Sequence, residues 1–140
     1  LIGLVGSEMC IRDRPSLFLI YPEGNFIEAT EDTPFFQIGE IKYGRPILVR
    51  AYRQDLSMKD IFKLLIVSFD STLKANLTVG FPLDFQIYFT DSLKSGVEGR
   101  LNANDPYFVD VSNAWSRGLE DLLLRLPGLT LSEEEKKQKE

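Results

Sequence analysis

Residues Ser57–Phe89 read SMKDIFKLLIVSFDSTLKANLTVGFPLDFQIYF, and within this stretch the apolar spacing changes from a helical to a strand pattern. Ser57 and Asp60 stand at the spacing of a capping box, in which two side chains satisfy free backbone donors at a helix start. An apolar stripe follows at helical spacing: Met58, Ile61, Phe62, Leu65, Phe69 and Leu73. The pattern predicts a helix that ends near Asn76, and further apolar residues beside the stripe indicate burial on more than one side.

The second part of the stretch predicts a strand. One face of this strand consists of alternate apolar residues, namely Phe81, Leu83, Phe85, Ile87 and Phe89. Alternation at a period of two places these side chains together on one side of a sheet. The polar residues Asp91–Gly99, which include two glycines, then predict a turn.

Upstream of this stretch, the sequence predicts a β-hairpin. Two apolar runs, Leu17–Tyr21 and Phe26–Thr30, are joined by the turn-forming residues Pro22–Asn25. A second turn is expected at Glu31–Pro34, and a short third strand at Phe35–Ile38.

Two more helices are expected, one on each side of the central stretch. Arg45–Asp55 has apolar residues at helical spacing and Pro46 in its first turn. Asp105 and Pro106 form a helix start, and Pro127-Gly128 ends the helix. Its apolar stripe is Phe108, Val111, Trp115, Leu119, Leu122 and Leu126. The predicted order is therefore β-β-β-α-α-β-α, which suits half of a layered α+β sandwich.

Composition excludes several classes of function. The 140 residues are 44% hydrophobic and carry a net charge of −5, with scattered basic residues, which disfavours a nucleic-acid partner. No apolar run approaches the ~20 residues that a membrane span requires, so no membrane partner is expected. The chain has no histidine and one cysteine, Cys10, so it contains no Ser-His-Asp triad, no histidine-ligated metal and no internal disulfide.

Both ends of the chain differ from its middle. Residues 1–14, LIGLVGSEMCIRDR, show neither strand alternation nor a helical stripe, and the portion Val5–Arg14 resembles the translation of a sequencing adapter. We expect this segment to be an artefactual or irregular leader. Residues 132–140, SEEEKKQKE, contain no apolar residue and are expected to form a charged, disordered tail.

Three strings carry a resemblance to a known family: YPEGNFIEATEDTPFFQIGEIKYG, SFDSTLKANLTVGFPLD and DPYFVDVSNAW. They resemble the C-terminal portion of Anbu, a bacterial proteasome-like family of N-terminal-nucleophile hydrolases. The resemblance implies that residues 15–131 are part of a four-layer αββα sandwich. It also implies a cytoplasmic peptidase-like hydrolase that forms a ring or open helical ring of identical subunits, and it implies neither a cofactor nor a metal.

In this superfamily the nucleophile is an N-terminal Thr or Ser whose own α-amine acts as part of the base, which requires no histidine. The resemblance places the nucleophile, an activating Lys and the oxyanion hole upstream of this chain. No residue here is therefore assigned a catalytic role, and the fragment alone is predicted to be inactive.

The resemblance assigns a supporting role to three residues. Glu40 follows Gly39 where proteasome subunits have Gly-Ser close to the nucleophile's amine, and a carboxylate there could hold an ammonium group. Asn76 and Thr78 follow the helix where those subunits have Asp-x-x-Ser-Gly, but Ala75 and Asn76 supply no negative charge. The alternatives are a solvated turn glutamate, a helix C-cap at Asn76 and a strand-initiating Thr78.

Two other functions remain open at the level of sequence. The chain could belong to a non-catalytic subunit with the same fold and the same ring contacts. It could also be a small independent α+β binding domain that begins close to Pro15. The carboxylates of the first hairpin, Glu23, Glu28, Glu31 and Asp32, are expected to be solvated loop residues rather than a metal site.

Overall fold

The computed structural model describes residues 4–8 and 16–129, in which five strands and three helices are formed. The strands are β1 (Leu4–Glu8), β2 (Ser16–Ile20), β3 (Phe26–Glu28), β4 (Leu83–Ile87) and β5 (Val97–Leu101). The helices are α1 (Arg45–Ala51), α2 (Met58–Ala75) and α3 (Pro106–Arg125). One antiparallel sheet has the order β1-β2-β3, and a second consists of β4 and β5.

The predicted N-terminal hairpin is confirmed. β2 and β3 are antiparallel with Phe18 opposite Glu28, and the Tyr21 N–H donates to the Asn25 carbonyl at 2.9 Å across the turn. Gly24 has a φ of +89°, a left-handed conformation that favours glycine over residues with a Cβ. The turn residues therefore fix the register of the two strands.

β1 lies within residues 1–14, where the sequence shows no strand alternation. Leu4–Glu8 pairs antiparallel with β2, with Leu4 opposite Ile20 and Glu8 opposite Ser16. Strand pairing uses backbone N–H and C=O groups, so a segment without alternating side chains can still complete the free edge of β2. Residues 1–3 and 9–14 lie outside the described residues, and the artificial origin of the segment stays a prediction.

The third predicted strand, Phe35–Ile38, is not formed. Within the described residues, no strand lies beside it to supply the hydrogen bonds that a strand needs. The aromatic ring of Phe35 contacts the ring of Tyr52, the residue that follows α1, with 6.2 Å between the ring centroids. An apolar segment with strand composition therefore lies beside the helices without a sheet partner.

The first helix, α1, is shorter than the predicted Arg45–Asp55. It ends at Ala51, and Tyr52 is already in an extended conformation. Pro46 lies in the first turn, as predicted. Leu48 is its one buried residue and faces α2.

The long helix α2 begins and ends where the sequence predicts. Ser57 is the N-cap: its Oγ accepts a hydrogen bond from the Asp60 N–H at 3.2 Å and donates to Asp60 Oδ2 at 2.5 Å. The helix ends at Ala75, with Asn76 as C-cap. α1 and α3 both pack against α2, so burial on more than one side is confirmed.

The start of α2 should respond to acid. Hydrogen bonds from Lys63 and Ser57 lower the pKa of Asp60 below its ordinary value of 3.8. A carboxylate with a lowered pKa stabilises the fold above its ordinary pKa, and this contribution is lost as the pH falls through the lowered value. We expect Asp60→Asn to reduce the free energy of unfolding at pH 7, and we expect this reduction to shrink as the pH falls below 3.8.

Urea unfolding at a series of pH values measures this difference. Asp55→Asn, which removes an exposed carboxylate outside any helix, is the matched control. A difference between wild type and Asp60→Asn that is the same at pH 7 and pH 2 would contradict the role given to Asp60.

The second sheet contains one predicted strand and one that the sequence analysis missed. β4 is shorter than the alternating stretch Phe81–Phe89 but alternates as expected, with Asp84 exposed and Phe85 partly buried. β5 lies in the segment where a turn was expected to extend to Gly99. Gly99 pairs with Phe85 of β4, and the Phe85 ring lies directly over it. Gly99 is therefore part of a strand, where the absence of a side chain leaves space for this ring.

The core lies between α2, α3 and the second sheet. Its buried residues are Ile66, Leu101 and Phe108. α3 begins at Asp105, whose Oδ1 accepts from the N–H groups of Tyr107 at 3.0 Å and Phe108 at 3.4 Å. The predicted cap and first-turn proline are therefore confirmed, and the helix ends before Pro127 as expected.

The predicted α+β class is confirmed by three helices and two small antiparallel sheets. The observed order within the described residues is β-β-β-α-α-β-β-α. It differs from the predicted order at three places: β1 and β5 are additional strands, and the predicted strand Phe35–Ile38 is not formed. These elements do not by themselves form four layers, so the complete sandwich stays a prediction. The predicted tail, residues 132–140, lies outside the described residues.

Candidate functional site

The three residues singled out by the sequence analysis lie together in one hydrogen-bonded group. Asn76 Nδ2 donates to Glu40 Oε2 at 3.0 Å. Asn76 Oδ1 accepts from the Thr78 N–H at 2.9 Å and from Thr78 Oγ1 at 2.7 Å. The Asn76 amide therefore connects a loop carboxylate to the segment after α2, across 36 residues of sequence.

Backbone geometry on both sides positions this group. Gly39 has a φ of +82°, which turns the chain just before Glu40. Glu40 Oε1 accepts from the Lys42 N–H at 2.8 Å, so each carboxylate oxygen has a donor. On the other side, the Asn76 N–H donates to the Thr72 carbonyl at 2.9 Å and anchors Asn76 to the end of α2.

The contacts of Glu40, Asn76 and Thr78 distinguish between their alternative roles. Asn76 is a helix C-cap, as the alternative proposed, and its side chain in addition orients Glu40. Glu40 is partly buried and held by two donors, so it is not a freely solvated turn residue. Thr78 does not begin a strand, because β4 starts at Leu83. The supporting role in catalysis stays a prediction.

An apolar cleft of about 340 Å³ lies beside Glu40. Its walls come from the segment that fails to form a strand and from α1 and α2, with Phe35, Phe36, Leu48, Leu65 and Phe69 among the lining residues. Gln37 Oε1 is buried and has no hydrogen-bond partner among the described residues. A buried hydrogen-bond acceptor without a donor lowers the stability of a fold by about 1–3 kcal/mol. The hydrogen-bonding groups at this cleft are therefore not all satisfied.

A second polar cluster, between α2 and α3, was missed by the sequence analysis. Asp70 is 3% exposed. It accepts from Ser112 Oγ at 2.6 Å and from Lys74 Nζ at 3.0 Å, and Lys74 also donates to Ser112 at 3.0 Å and to Ser116 at 3.2 Å. The i,i+4 spacing of Asp70 and Lys74 was a signal for the pair, but the partners on α3 lie about 40 residues away in sequence and have no local signal.

The acidic residues of the first hairpin show no comparable arrangement. Glu23, Glu28, Glu31 and Asp32 are all exposed. Among the residues that the structure describes, no three His, Cys, Asp or Glu side chains form a group able to hold a metal ion.

Within residues 4–8 and 16–129, no helix combines the length and the hydropathy required to cross a bilayer.

Comparison with known proteins identified relatives only among solved structures. No family model matches this chain, and no curated protein matches it. An Anbu (Gly-1) mutant from Hyphomicrobium sp. strain MC1 is 50% identical over 89% of this chain, with a TM-score of 0.83. The resemblance to the Anbu proteins is confirmed. Anbu, described as an ancestral beta-subunit, from Yersinia bercovieri is 44% identical over 89% of this chain, with a TM-score of 0.80.

A third match adds information about assembly. The helical assembly of the Anbu complex from Pseudomonas aeruginosa is 45% identical over 89% of this chain, with a TM-score of 0.80. This chain spans only about half the length of the Anbu proteins it matches: 54%, 53% and 52% for the three structures. That share agrees with the expectation that the residues correspond to a C-terminal portion.

Proposed function

We propose that this chain is the C-terminal portion of an Anbu-type N-terminal-nucleophile hydrolase, and that Glu40, Asn76 and Thr78 support its reactive amino terminus. The observation that carries the proposal is the hydrogen-bonded group itself. The resemblance pointed to two separate segments, one with Glu40 and one with Asn76 and Thr78, and these residues lie in contact. Both oxygens of the Glu40 carboxylate accept hydrogen bonds, which orients the carboxylate.

The proposed chemistry is acyl transfer. The Oγ of an N-terminal Thr or Ser attacks an amide carbon, the amine leaves with a proton, and water then hydrolyses the resulting ester. The nucleophile, the activating Lys and the oxyanion hole are assigned to the remainder of the domain. In this proposal Glu40 accepts a hydrogen bond from the α-ammonium group, and Asn76 and the Lys42 N–H keep the carboxylate in position.

This arrangement accounts for the departure from the proteasome pattern. Asp-x-x-Ser-Gly would supply a negative charge at the end of α2, where this chain has Ala75 and Asn76. Asn76 instead donates to Glu40, so the negative charge lies on the facing loop. We propose that the site has one carboxylate, as in the proteasome pattern, but that Glu40 of the loop supplies it instead of an Asp at the end of α2.

The apolar cleft supports the assignment to a larger domain. Leu65 and Phe69 of α2 are exposed, and Phe35–Ile38 has strand composition but no strand partner within residues 4–8 and 16–129. We propose that a strand from the remainder of the domain pairs with this segment and completes the layered αββα sandwich.

We further propose that the subunit self-associates into a ring or open helical ring in the cytoplasm and acts on a peptide. The helical assembly of the related Pseudomonas aeruginosa protein supports the self-association. The peptidase activity and the cytoplasmic location follow from the family resemblance alone.

Two measurements test the proposal. The genomic DNA upstream of the Pro15 codon should encode a Thr or Ser directly after the initiator Met, with a Lys further downstream. The protein from that complete gene should hydrolyse fluorogenic peptides. A gene that opens near Ser16 would favour the independent domain. A complete gene without a hydroxyl residue at its start would favour the non-catalytic subunit.

A further inference from the structure

Gly44 lies buried where the start of α1 meets α2. Its φ of −86° and ψ of −37° form a right-handed conformation that any residue adopts. A Cβ on Gly44 would nevertheless meet three atoms of α2, namely Ser68 Oγ, the Ser68 carbonyl oxygen and Thr72 Oγ1. The space between the two helices, and not the backbone conformation, therefore requires a glycine at this position.

The face of α2 that receives Gly44 also holds Glu40. Ser68, Thr72 and Asn76 follow one another at intervals of four residues, which places them on one side of the helix. Gly44 packs on the first two, and one turn further along Asn76 Nδ2 donates to Glu40 Oε2 at 3.0 Å. Thr72 Oγ1 donates to the Ser68 carbonyl and the Asn76 N–H to the Thr72 carbonyl, each at 2.9 Å, so hydrogen bonds within α2 fix this face.

The loop from Glu40 to Gly44 is short and closed by hydrogen bonds. Only three residues lie between the two. The Lys42 N–H donates to Glu40 Oε1 at 2.8 Å, and the Arg45 N–H donates to the Ile41 carbonyl at 3.3 Å. Since the loop contacts α2 at both ends, a displacement of Gly44 from the helix is passed on to Glu40.

Two of the three contacts at Gly44 cannot be relieved by a change of side-chain rotamer at Ser68. The Ser68 carbonyl oxygen belongs to the helix backbone, and Thr72 Oγ1 is held by its hydrogen bond to that carbonyl. Both atoms would lie 3.1 Å from an added Cβ, which requires a shift of a few tenths of an ångström. A larger residue at position 44 therefore moves the loop away from α2.

We propose that Gly44 is a positioning residue for Glu40. Its missing side chain lets the loop lie on Ser68 and Thr72 at the distance from which Glu40 accepts the hydrogen bond of Asn76. The inference rests on the proposed function of Glu40. It adds that the packing of a glycine four residues away sets the place of this carboxylate.

Peptide hydrolysis by the complete protein, measured across pH, tests the positioning role. Gly44→Ala should move the acid limb of kcat/KM to lower pH by at least about 0.3 unit, because a displaced carboxylate stabilises the charged α-amine less. Glu40→Gln should move it in the same direction and further. Adding Ser68→Ala to Gly44→Ala removes the closest of the three contacts and should move the limb back toward its wild-type position.

Asp70→Ala is the control for a loss of stability alone. Asp70 accepts from Ser112 of α3, so its removal weakens a different contact of α2 and should leave the acid limb in place. If the limb moved in Glu40→Gln but not in Gly44→Ala, or moved equally in Gly44→Ala and Asp70→Ala, the positioning role would be overturned and the role of Glu40 would stand. A complete protein without hydrolysis, or an unchanged limb in Glu40→Gln, would overturn the role of Glu40 and the positioning role with it.

Discussion

Gly44→Ala is expected to lower the free energy of unfolding by about 1–3 kcal/mol, the usual cost of adding atoms to a closely packed contact. Gly44 is buried at the start of α1, directly against α2. A Cβ at this position would collide with Ser68 Oγ and would lie 3.1 Å from both the Ser68 carbonyl oxygen and Thr72 Oγ1. The Ser68 hydroxyl would have to rotate away, and the two helices would have to shift slightly to relieve the contact with the Ser68 carbonyl oxygen.

Thermal or urea unfolding measures this effect, and Gly118→Ala is the matched control. A Cβ at Gly118 has open space within 4 Å, and this glycine lies inside α3. Alanine there should raise stability by about 0.5–1 kcal/mol, because glycine loses more conformational freedom in a helix. Gly44→Ala that is neutral or stabilising would show that the α1–α2 contact is looser than described.

Asp70→Ala is expected to destabilise the fold by about 1.5–3 kcal/mol, the usual contribution of a hydrogen bond to a charged group. The Asp70 carboxylate is almost fully buried and accepts from both Ser112 Oγ and Lys74 Nζ. Its removal leaves the Ser112 hydroxyl without this acceptor at the contact between α2 and α3, and Lys74 keeps only the two serine oxygens as acceptors. The urea midpoint should fall accordingly.

Asp84→Ala is the matched control for Asp70→Ala. Asp84 also pairs with a cation, with 2.6 Å between its Oδ1 and Arg100 Nε, but both side chains are exposed. Exposed pairs contribute little, because solvent screens them. If Asp70→Ala changed stability no more than Asp84→Ala, the buried cluster would not hold the two helices together.

Local signals in the sequence were sufficient to predict where α2 and α3 begin, but they did not locate the end of α1. Ser57, Asp105 and Pro106 mark helix starts through groups only a few residues apart, and each was located correctly. β5 was missed because Gly99 reads as a turn residue, and its place in a strand depends on the Phe85 ring across the sheet. Phe35–Ile38 was predicted as a strand from composition, but a strand also requires a neighbour.

The candidate site also depends on contacts between residues that are distant in sequence, which local signals do not predict. Family resemblance pointed to Glu40, Asn76 and Thr78, and the structure brings them into hydrogen-bond contact. Residue spacing alone could not have paired Glu40 with Asn76, because the contact depends on how the loop after Gly39 lies against the end of α2. The Asp70 cluster was missed for the same reason, since Ser112 and Ser116 come from a different helix.

The pH dependence of peptide hydrolysis by the complete protein tests the role of Glu40 most directly. A carboxylate beside the α-amine favours its charged form and raises its pKa, so the acid limb of kcat/KM should move to lower pH in Glu40→Gln, by up to about one unit. Glu23→Gln, in the exposed hairpin turn, should leave the profile unchanged. An acid limb at the same pH in Glu40→Gln and wild type would contradict the proposal that Glu40 supports the reactive amine.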